Sequence, residues 1–216
     1  SFTCCSGTGM ENHARYGESI YFHDDASLYV NLFIASELAW KAKGLTVRQE
    51  TTIPDADVAR LSMKCAAPVR LALRIRRPAW AGEGFGVSVN GAPAAADGKP
   101  GSYVAVEREW KDGDRVEVRL PMALRAEALP DDPGTVALLY GPVVLAGELG
   151  TEGMPTPYAR GQTDFSKIPS PEVPVFLAEA KDLLGRVQPV AGKPLTFQTR
   201  GLGRPRDVTL VPFHRL

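Results

Sequence analysis

The stretch VRLALRIR, residues 69–76, alternates large apolar side chains with arginine or alanine. Successive side chains of an extended chain point to opposite faces, so this pattern predicts a β-strand with one buried and one solvated face. The alternation recurs at residues 28–34 and 115–120. Turn-forming residues separate such runs, for example at Asn90-Gly91, Asp97-Gly98 and Pro130–Gly134. Short strands at this spacing indicate a mainly β protein built of antiparallel β-sandwiches.

Composition and charge limit the possible classes of function. Hydrophobic residues make up 44% of the chain, which is enough to build a core. Lys+Arg and Asp+Glu are both 25, so no nucleic-acid partner is expected. The basic run at residues 74–77 is interpreted as a solvated strand face. No apolar run approaches the roughly 20 residues that span a bilayer, so no membrane association is expected.

The chain opens at Ser1 without an initiator methionine or a charged leader. We therefore expect it to begin inside a longer protein, and its compartment, cytoplasmic or exported, is left open.

The chain is predicted to have three parts. Residues 1–23 form a loop and then a helix, because Thr8-Gly9-Met10-Glu11 fits the capping-box pattern and helical spacing follows it. The Pro130–Gly134 cluster is the strongest boundary signal. We therefore predict one β-sandwich over residues 24–133 and a second over 134–216. A long surface loop is expected at 150–174, and a second, weaker helix at 177–184.

The three cysteines fall into two groups. Their odd count and irregular spacing argue against a disulfide framework, and Cys65 ends an alternating run as a small core residue. Cys4-Cys5 precede the predicted helix start, whose free amides stabilise a nearby thiolate. Such a pair can ligate one zinc where the backbone turns, which Gly7 and Gly9 permit. A tetrahedral site needs two further ligands, for which the chain has no clear candidates. Simple burial and a strained vicinal disulfide remain alternatives.

The segment CCSGTGMENHARYGESIY, residues 4–21, resembles the signature of the bacterial β-L-arabinofuranosidases of glycoside hydrolase families 127 and 146. Further similar stretches follow in the same order: LYVNLFI at 28–34, RRPAW at 76–80, VNG at 89–91, WKDGD at 110–114, LYGPVVLAG at 139–147 and PFHRL at 212–216. The likeness covers nearly the whole chain and weakens between residues 150 and 208. The chain thus resembles the C-terminal portion of these enzymes.

The resemblance implies an N-terminal (α/α)6 barrel that holds the active site, followed by β-sandwich domains. Residues 1–23 would then be the end of this barrel. It also implies a retaining glycoside hydrolase that releases β-L-arabinofuranose from plant-type glycans, with zinc bound by three cysteines and a glutamate. Carried over to this sequence, Cys4 is the nucleophile and a zinc ligand, and Cys5 is a zinc ligand. The partners implied are the barrel and an arabinose-containing oligosaccharide.

The family's acid/base glutamate, zinc glutamate and third cysteine lie upstream of the cysteine pair. The isolated chain is therefore expected to be inactive and to bind no zinc by itself. Glu11 is assigned to the capping box and Glu18 to the helix surface, so neither fills those roles. His13 is open to two interpretations, packing in the barrel and the sugar cleft, of which packing is favoured.

The β-sandwiches have three possible roles. They can be the C-terminal segment of the zinc-dependent hydrolase, bracing the barrel; a non-catalytic carbohydrate-binding module; or a scaffold in which the cysteine pair has no chemistry. Trp80, Trp110 and Tyr140 are candidates for a sugar-stacking platform. Trp80 follows a proline at a corner and Trp110 precedes a tight turn, which favours a bracing role.

Overall fold

The computed structural model describes residues 3–95, 98–150 and 172–216. They belong to two compact units, Ser1–Ala123 and Leu124–Leu216, each with its own hydrophobic core. Both units are mainly β, which confirms the predicted fold class. No helix among the described residues combines the length and apolar character needed to cross a bilayer.

Helix α1 spans Thr3–Arg15 and is followed by a 3-10 turn, Tyr16–Ser19. The predicted capping box is wrong, because the helix already begins at Thr3. The hydroxyl of Thr8 lies inside the helix and donates to the carbonyl oxygen of Cys4 at 3.0 Å, as an interior threonine does. Glu11 is therefore not a capping carboxylate, and Cys4-Cys5 lie within the helix rather than in a loop before it.

The described residues of the first unit form ten strands in two sheets. In chain order they are β1 (Tyr21–His23), β2 (Ser27–Val30), β3 (Ser36–Trp40), β4 (Leu45–Thr51), β5 (Val58–Cys65), β6 (Val69–Arg76), β7 (Gly86–Val89), β8 (Ala92–Ala95), β9 (Tyr103–Trp110) and β10 (Arg115–Arg119). One sheet has the order β1-β2-β6-β9 and the other β3-β4-β5-β10-β7-β8. Neighbours are antiparallel except β2 and β6. This pair is parallel because the three strands between them in sequence all lie in the other sheet.

The alternating runs place their apolar side chains between the two sheets. Leu71, Leu73 and Ile75 of β6 are buried, and they share one core with buried residues of β5 and β10 from the opposite sheet. The turn at Asn90-Gly91 joins β7 to β8 with φ angles of 52° and 83°. Two positive φ angles are what a tight hairpin turn of this sequence requires. The sandwich and this turn are as predicted.

The second unit contains a six-stranded antiparallel sheet and a two-stranded ribbon. Its elements are β11 (Leu124–Ala128), β12 (Val136–Tyr140), β13 (Val143–Gly147), β14 (Val175–Phe176), α2 (Ala180–Leu183), β15 (Val187–Pro189), β16 (Phe197–Thr199), β17 (Gly203–Arg204) and β18 (Thr209–Pro212). The large sheet has the order β11-β12-β13-β18-β16-β15, and β14 pairs with β17. Helix α2 lies within the segment predicted as helical. Most of the loop predicted at 150–174 lies outside the described residues.

The chain divides after Ala123, whereas the sequence suggested a boundary after Pro133, inside the Pro130–Gly134 cluster. Strand β11 pairs with β12 along its whole length, and the backbone N–H of Leu129 donates to the carbonyl oxygen of Thr135. The Pro130–Gly134 cluster is therefore the loop of a hairpin inside the second unit. Turn-forming residues mark both hairpins and linkers, so the sequence pattern does not distinguish them.

The loop between β16 and β18 is organised by the carboxylate of Asp207. Its Oδ1 accepts hydrogen bonds from the backbone N–H groups of Leu202 and Gly203, both at 3.0 Å, and its Oδ2 from that of Gly201 at 2.7 Å. The hydroxyl of Thr199 donates to Oδ1 at 3.1 Å. These bonds favour the ionised carboxylate, and that from Gly203 has the largest effect, lowering the pKa of Asp207 to about 2.

We expect the second unit to lose stability through Asp207 as the pH falls from about 4 to about 2. As the pH falls, Asp207 binds a proton in the unfolded chain before it does so in the folded chain. The stabilisation that Asp207 contributes is therefore complete above its unfolded-state pKa and is lost as the pH falls through its folded-state pKa. Asp207→Asn should remove this pH dependence and lower stability at pH 7, because its amide N–H₂ cannot accept every bond that the carboxylate accepts. The measurement is the hydrogen-exchange protection of the backbone amide of Val208 as a function of pH.

Asp131→Asn is the matched control, since Asp131 is an exposed aspartate of the same unit. It should keep the wild-type pH dependence. The same dependence in Asp207→Asn would contradict the assignment to Asp207.

Candidate active site

Cys4 and Cys5 lie in the first turn of α1 as exposed, free thiols. Their Sγ atoms are 3.8 Å apart, far beyond the roughly 2.05 Å of a disulfide bond. The vicinal disulfide is therefore not formed in this structure, and neither sulfur is buried. Two thiols that are adjacent in sequence thus point to one region outside the helix.

The separation of the two sulfurs fits a shared zinc ion. Zinc–sulfur bonds of about 2.3 Å at a tetrahedral angle place two ligating sulfurs about 3.8 Å apart. The Sγ atoms of Cys4 and Cys5 already have this spacing. Across the described part of the chain, no group of three or more His, Cys, Asp or Glu side chains could hold a metal ion. Among the described residues the pair would therefore offer only two of the four ligands that a tetrahedral zinc site needs.

The other polar residues between Ser6 and Glu18 are exposed. Glu18 forms an ion pair with Arg15 at 3.9 Å, where both side chains are well solvated. His13 packs edge-to-face on Tyr16, with ring centroids 5.9 Å apart. Both residues are exposed, so this contact tests neither the barrel packing nor the sugar cleft considered for His13.

Cys65 behaves as predicted, as a buried residue at the end of β5. Burial is the largest cause that raises the pKa of its thiol, and the nearby carboxylates of Asp112 and Asp114 raise it further. The thiol is thus kept neutral inside the first unit. Cys65 is a structural residue and a useful control for the exposed pair.

The candidate sugar platform is not supported by the positions of its residues. Trp110 is completely buried, and its indole N–H donates to the carbonyl oxygen of Leu71 at 3.2 Å. Trp80 is partly buried and packs against the same core. Tyr140 belongs to the second unit, where its ring lies 5.2 Å from that of Phe197. A buried indole offers no face to a sugar, so Trp110 is a core residue of the first unit.

Sequence reasoning missed Asn31, which follows β2. Its side chain contacts Ser19, Arg76 and Tyr103, and so links the end of the helical segment to the first sheet. Asparagine is disfavoured in strands, so its place in the run LYVNLFI is the signal that could have indicated a special role.

Residues 27–122 match the family described as "Beta-L-arabinofuranosidase, GH127 middle domain". Over these residues the chain is similar to the middle domain of the GH127 β-L-arabinofuranosidases. Residues 125–216 match a domain of unknown function, DUF4986. The GH127 match ends, and the second match begins, within two residues of the division between the two structural units. Neither match includes α1.

Solved structures give the same relationship. A GH127 β-L-arabinofuranosidase from Geobacillus stearothermophilus T6 is 26% identical with a TM-score of 0.53, over 61% of this chain and 22% of that one. A glycoside hydrolase (22% identity, TM-score 0.60) and a GH127 β-arabinofuranosidase (24%, 0.57) each match over 90% of this chain, and over 34% and 33% of theirs. At these identities the last two show the fold alone. A comparison with curated proteins gave no match.

The chain spans about a third or less of the length of these structures. The part of a GH127 protein that it resembles includes the middle domain.

Proposed function

We propose that this chain is the C-terminal part of a zinc-dependent retaining glycoside hydrolase that releases β-L-arabinofuranose from plant-type glycans. The observation that carries the proposal is the pair of exposed thiols in α1 with their sulfurs 3.8 Å apart. This spacing suits one tetrahedral zinc ion. The GH127 middle domain that follows supplies the enzyme class.

In this proposal Cys4 is the nucleophile and a zinc ligand, and Cys5 is a zinc ligand. Zinc, when bound, keeps a thiol deprotonated at neutral pH. The sulfur of Cys4 then attacks the anomeric carbon, while the bond from that carbon to the leaving oxygen breaks. A carboxylic acid protonates the leaving oxygen and afterwards activates a water molecule, which displaces the sulfur. Two displacements at one carbon retain its configuration.

The chain's own residues account for part of this site only. The proposal assigns the acid/base carboxylate and the other zinc ligands to an N-terminal helical barrel of the same protein. Cys4 and Cys5 are fully open to such a partner, because every described side chain from residue 4 to residue 18 is exposed. The 216-residue chain alone should therefore cleave no β-L-arabinofuranoside, and the complete enzyme is the form to test.

The test is the zinc content of the complete enzyme. Wild type should contain about one zinc per active site, and Cys5→Ser should lose most of it, since a neutral hydroxyl is a poor replacement for a thiolate ligand. Cys65→Ser is the matched control, as Cys65 is the other thiol of the chain and is buried within the first unit. It should keep its zinc. Full zinc content in Cys5→Ser, or none in wild type, would overturn the proposed metal site.

A further inference from the structure

We infer that Asn31 is a positioning residue, which fixes the direction of the helix carrying Cys4 and Cys5 relative to the first unit's sheets. This inference rests on the proposed function for its catalytic consequence. The contact itself is independent of that function. It joins three features of the first unit: an exposed helix, its buried end and a polar cluster on the sheet.

The first feature is the exposure of the helical segment. Every described side chain from Cys4 to Glu18 is exposed, Ser19 is partly buried, and Ile20 is the first buried residue at 7% exposure. Burial begins only at this point, so within this chain the contacts around residues 19–21 are the ones that join α1 to the sheets of the first unit.

The second feature is the double contact of Asn31 with this point. Its side-chain Nδ2 donates to the carbonyl oxygen of Ser19 at 2.9 Å. Its backbone N–H donates to the carbonyl oxygen of Ile20 at 2.9 Å. Two successive carbonyl groups at the end of the helical segment therefore accept hydrogen bonds from Asn31, and that of Ile20 also accepts one from the backbone N–H of Leu32 at 3.3 Å.

The third feature is the cluster that orients the side-chain amide. Its Oδ1 accepts hydrogen bonds from the hydroxyl of Tyr103 at 2.6 Å and from the guanidinium of Arg76 at 3.4 Å. Arg76 and Tyr103 are cross-strand partners in β6 and β9, and the ring of Tyr103 packs edge-to-face on Tyr29. Rotating the amide by half a turn would place its N–H₂ against two donors. The amide therefore presents its N–H₂ to Ser19 and is fixed there.

The buried side chain of Gln49 contacts Tyr21, the residue that follows Ile20. Gln49 is 1% exposed, and its Nε2 lies within 3.4 Å of the hydroxyl of Tyr21. That hydroxyl also lies 3.1 Å from the hydroxyl of Ser36. Tyr21 begins β1, so the chain is held firmly on the sheet side of the junction. A change in the direction of α1 is therefore expected to arise at Ser19, whose carbonyl oxygen accepts the hydrogen bond from Asn31.

The length of α1 magnifies a small loss of order at this junction. Its 13 residues span about 20 Å, so a tilt of about 5° at Ser19 moves Cys4 by about 2 Å. Nucleophilic attack depends on placement to within about 1 Å. A residue far from the sulfurs can thus affect the rate without contacting the substrate.

The first experiment measures the helix directly in the 216-residue chain. One spin label is placed on Cys5, in a background with Cys4→Ser and Cys65→Ala, and a second on the exposed position 107 of β9 through Glu107→Cys. Asn31→Ala should at least double the width of the distance distribution between the labels. Asn31→Asp should do the same, because it keeps the acceptor for Tyr103 and loses the donor to Ser19.

Asn90→Ala is the matched control. Asn90 lies in the β7–β8 turn, away from α1. Like that of Asn31, its side-chain amide both donates and accepts: it donates to Asp114 at 2.8 Å and accepts from the backbone N–H of Arg115 at 2.9 Å. This variant removes equivalent bonds from the same unit and should leave the width unchanged. Equal widths in Asn31→Ala and Asn90→Ala would overturn the inference.

The second experiment measures catalysis in the complete enzyme. Asn31→Ala should lower kcat about tenfold and leave KM within about twofold, whereas Asn90→Ala should change neither. A broadened distance with unchanged kcat would overturn the catalytic role of Asn31. If Cys4→Ser retained full turnover, the proposed function would fail, and the distance measurement would still decide whether Asn31 orients the helix.

Discussion

Replacing Cys4 with serine in the complete enzyme is expected to lower kcat on a β-L-arabinofuranoside by at least about 10³-fold. A serine hydroxyl remains protonated where a zinc-bound thiol is ionised, so the attacking atom loses its charge. Cys4 is exposed in the first turn of α1, where a substrate can reach it. The measurement is steady-state hydrolysis of a chromogenic β-L-arabinofuranoside. Cys65→Ser, which alters a buried thiol of the same chain, should retain the wild-type rate.

Loss of rate alone does not separate the two roles proposed for Cys4, because serine also removes a zinc ligand. Mass spectrometry of the wild-type enzyme, quenched during turnover of a slow substrate, makes the distinction. A pentosyl adduct on the peptide that contains Cys4, and its absence in Cys4→Ser, is expected for a covalent nucleophile. An adduct on Cys5, or wild-type turnover by Cys4→Ser, would refute the assignment.

The β-strands were predictable because the alternation of apolar and polar side chains along each strand agrees with which side chains the folded unit buries. In β6 the residues with large apolar side chains face the core and the arginines face outward, which is what an alternating run specifies. Asn90-Gly91 adopts the two positive φ angles that its sequence favours. At such positions the pattern of side chains is the physical cause of the structure.

The helix start and the unit boundary were not predictable from local patterns. Thr8 has the sequence of a cap, but hydrogen bonding continues through it to Thr3, and its hydroxyl turns back to Cys4. The Pro130–Gly134 cluster resembles a linker, but the pairing of β11 with β12 makes it a hairpin loop. In both cases the outcome depends on residues beyond the motif.

The candidate site was predictable only in part, for the same reason. Cys4 and Cys5 are adjacent in sequence, so the motif alone identifies them. Asn31 acts through Ser19, 12 residues earlier, and Tyr103, 72 residues later. Such a cluster exists only after β2, β6 and β9 have assembled into one sheet.

Replacing Trp110 with alanine is expected to lower the free energy of unfolding of the first unit by about 3–5 kcal/mol. Trp110 has no exposed surface and is among the largest fully buried side chains of the chain. It ends β9, packs in the core between the two sheets and lies under the guanidinium of Arg108, 5.2 Å from its ring. Removing the indole leaves a cavity that the neighbouring strands cannot fill without breaking the backbone hydrogen bonds between them.

Two further variants separate cavity formation from hydrogen bonding. Trp110→Phe keeps most of the apolar volume but leaves the carbonyl oxygen of Leu71 without the indole donor, so a smaller loss of about 1–3 kcal/mol is expected. Trp80→Ala removes a partly buried indole from the edge of the same core and should cost less than Trp110→Ala. Urea unfolding of each variant, followed by far-ultraviolet circular dichroism and by the fluorescence of the remaining tryptophans, gives the comparison. Equal losses for Trp80→Ala and Trp110→Ala would contradict the central place of Trp110 in the core, because only Trp110 lies wholly inside it.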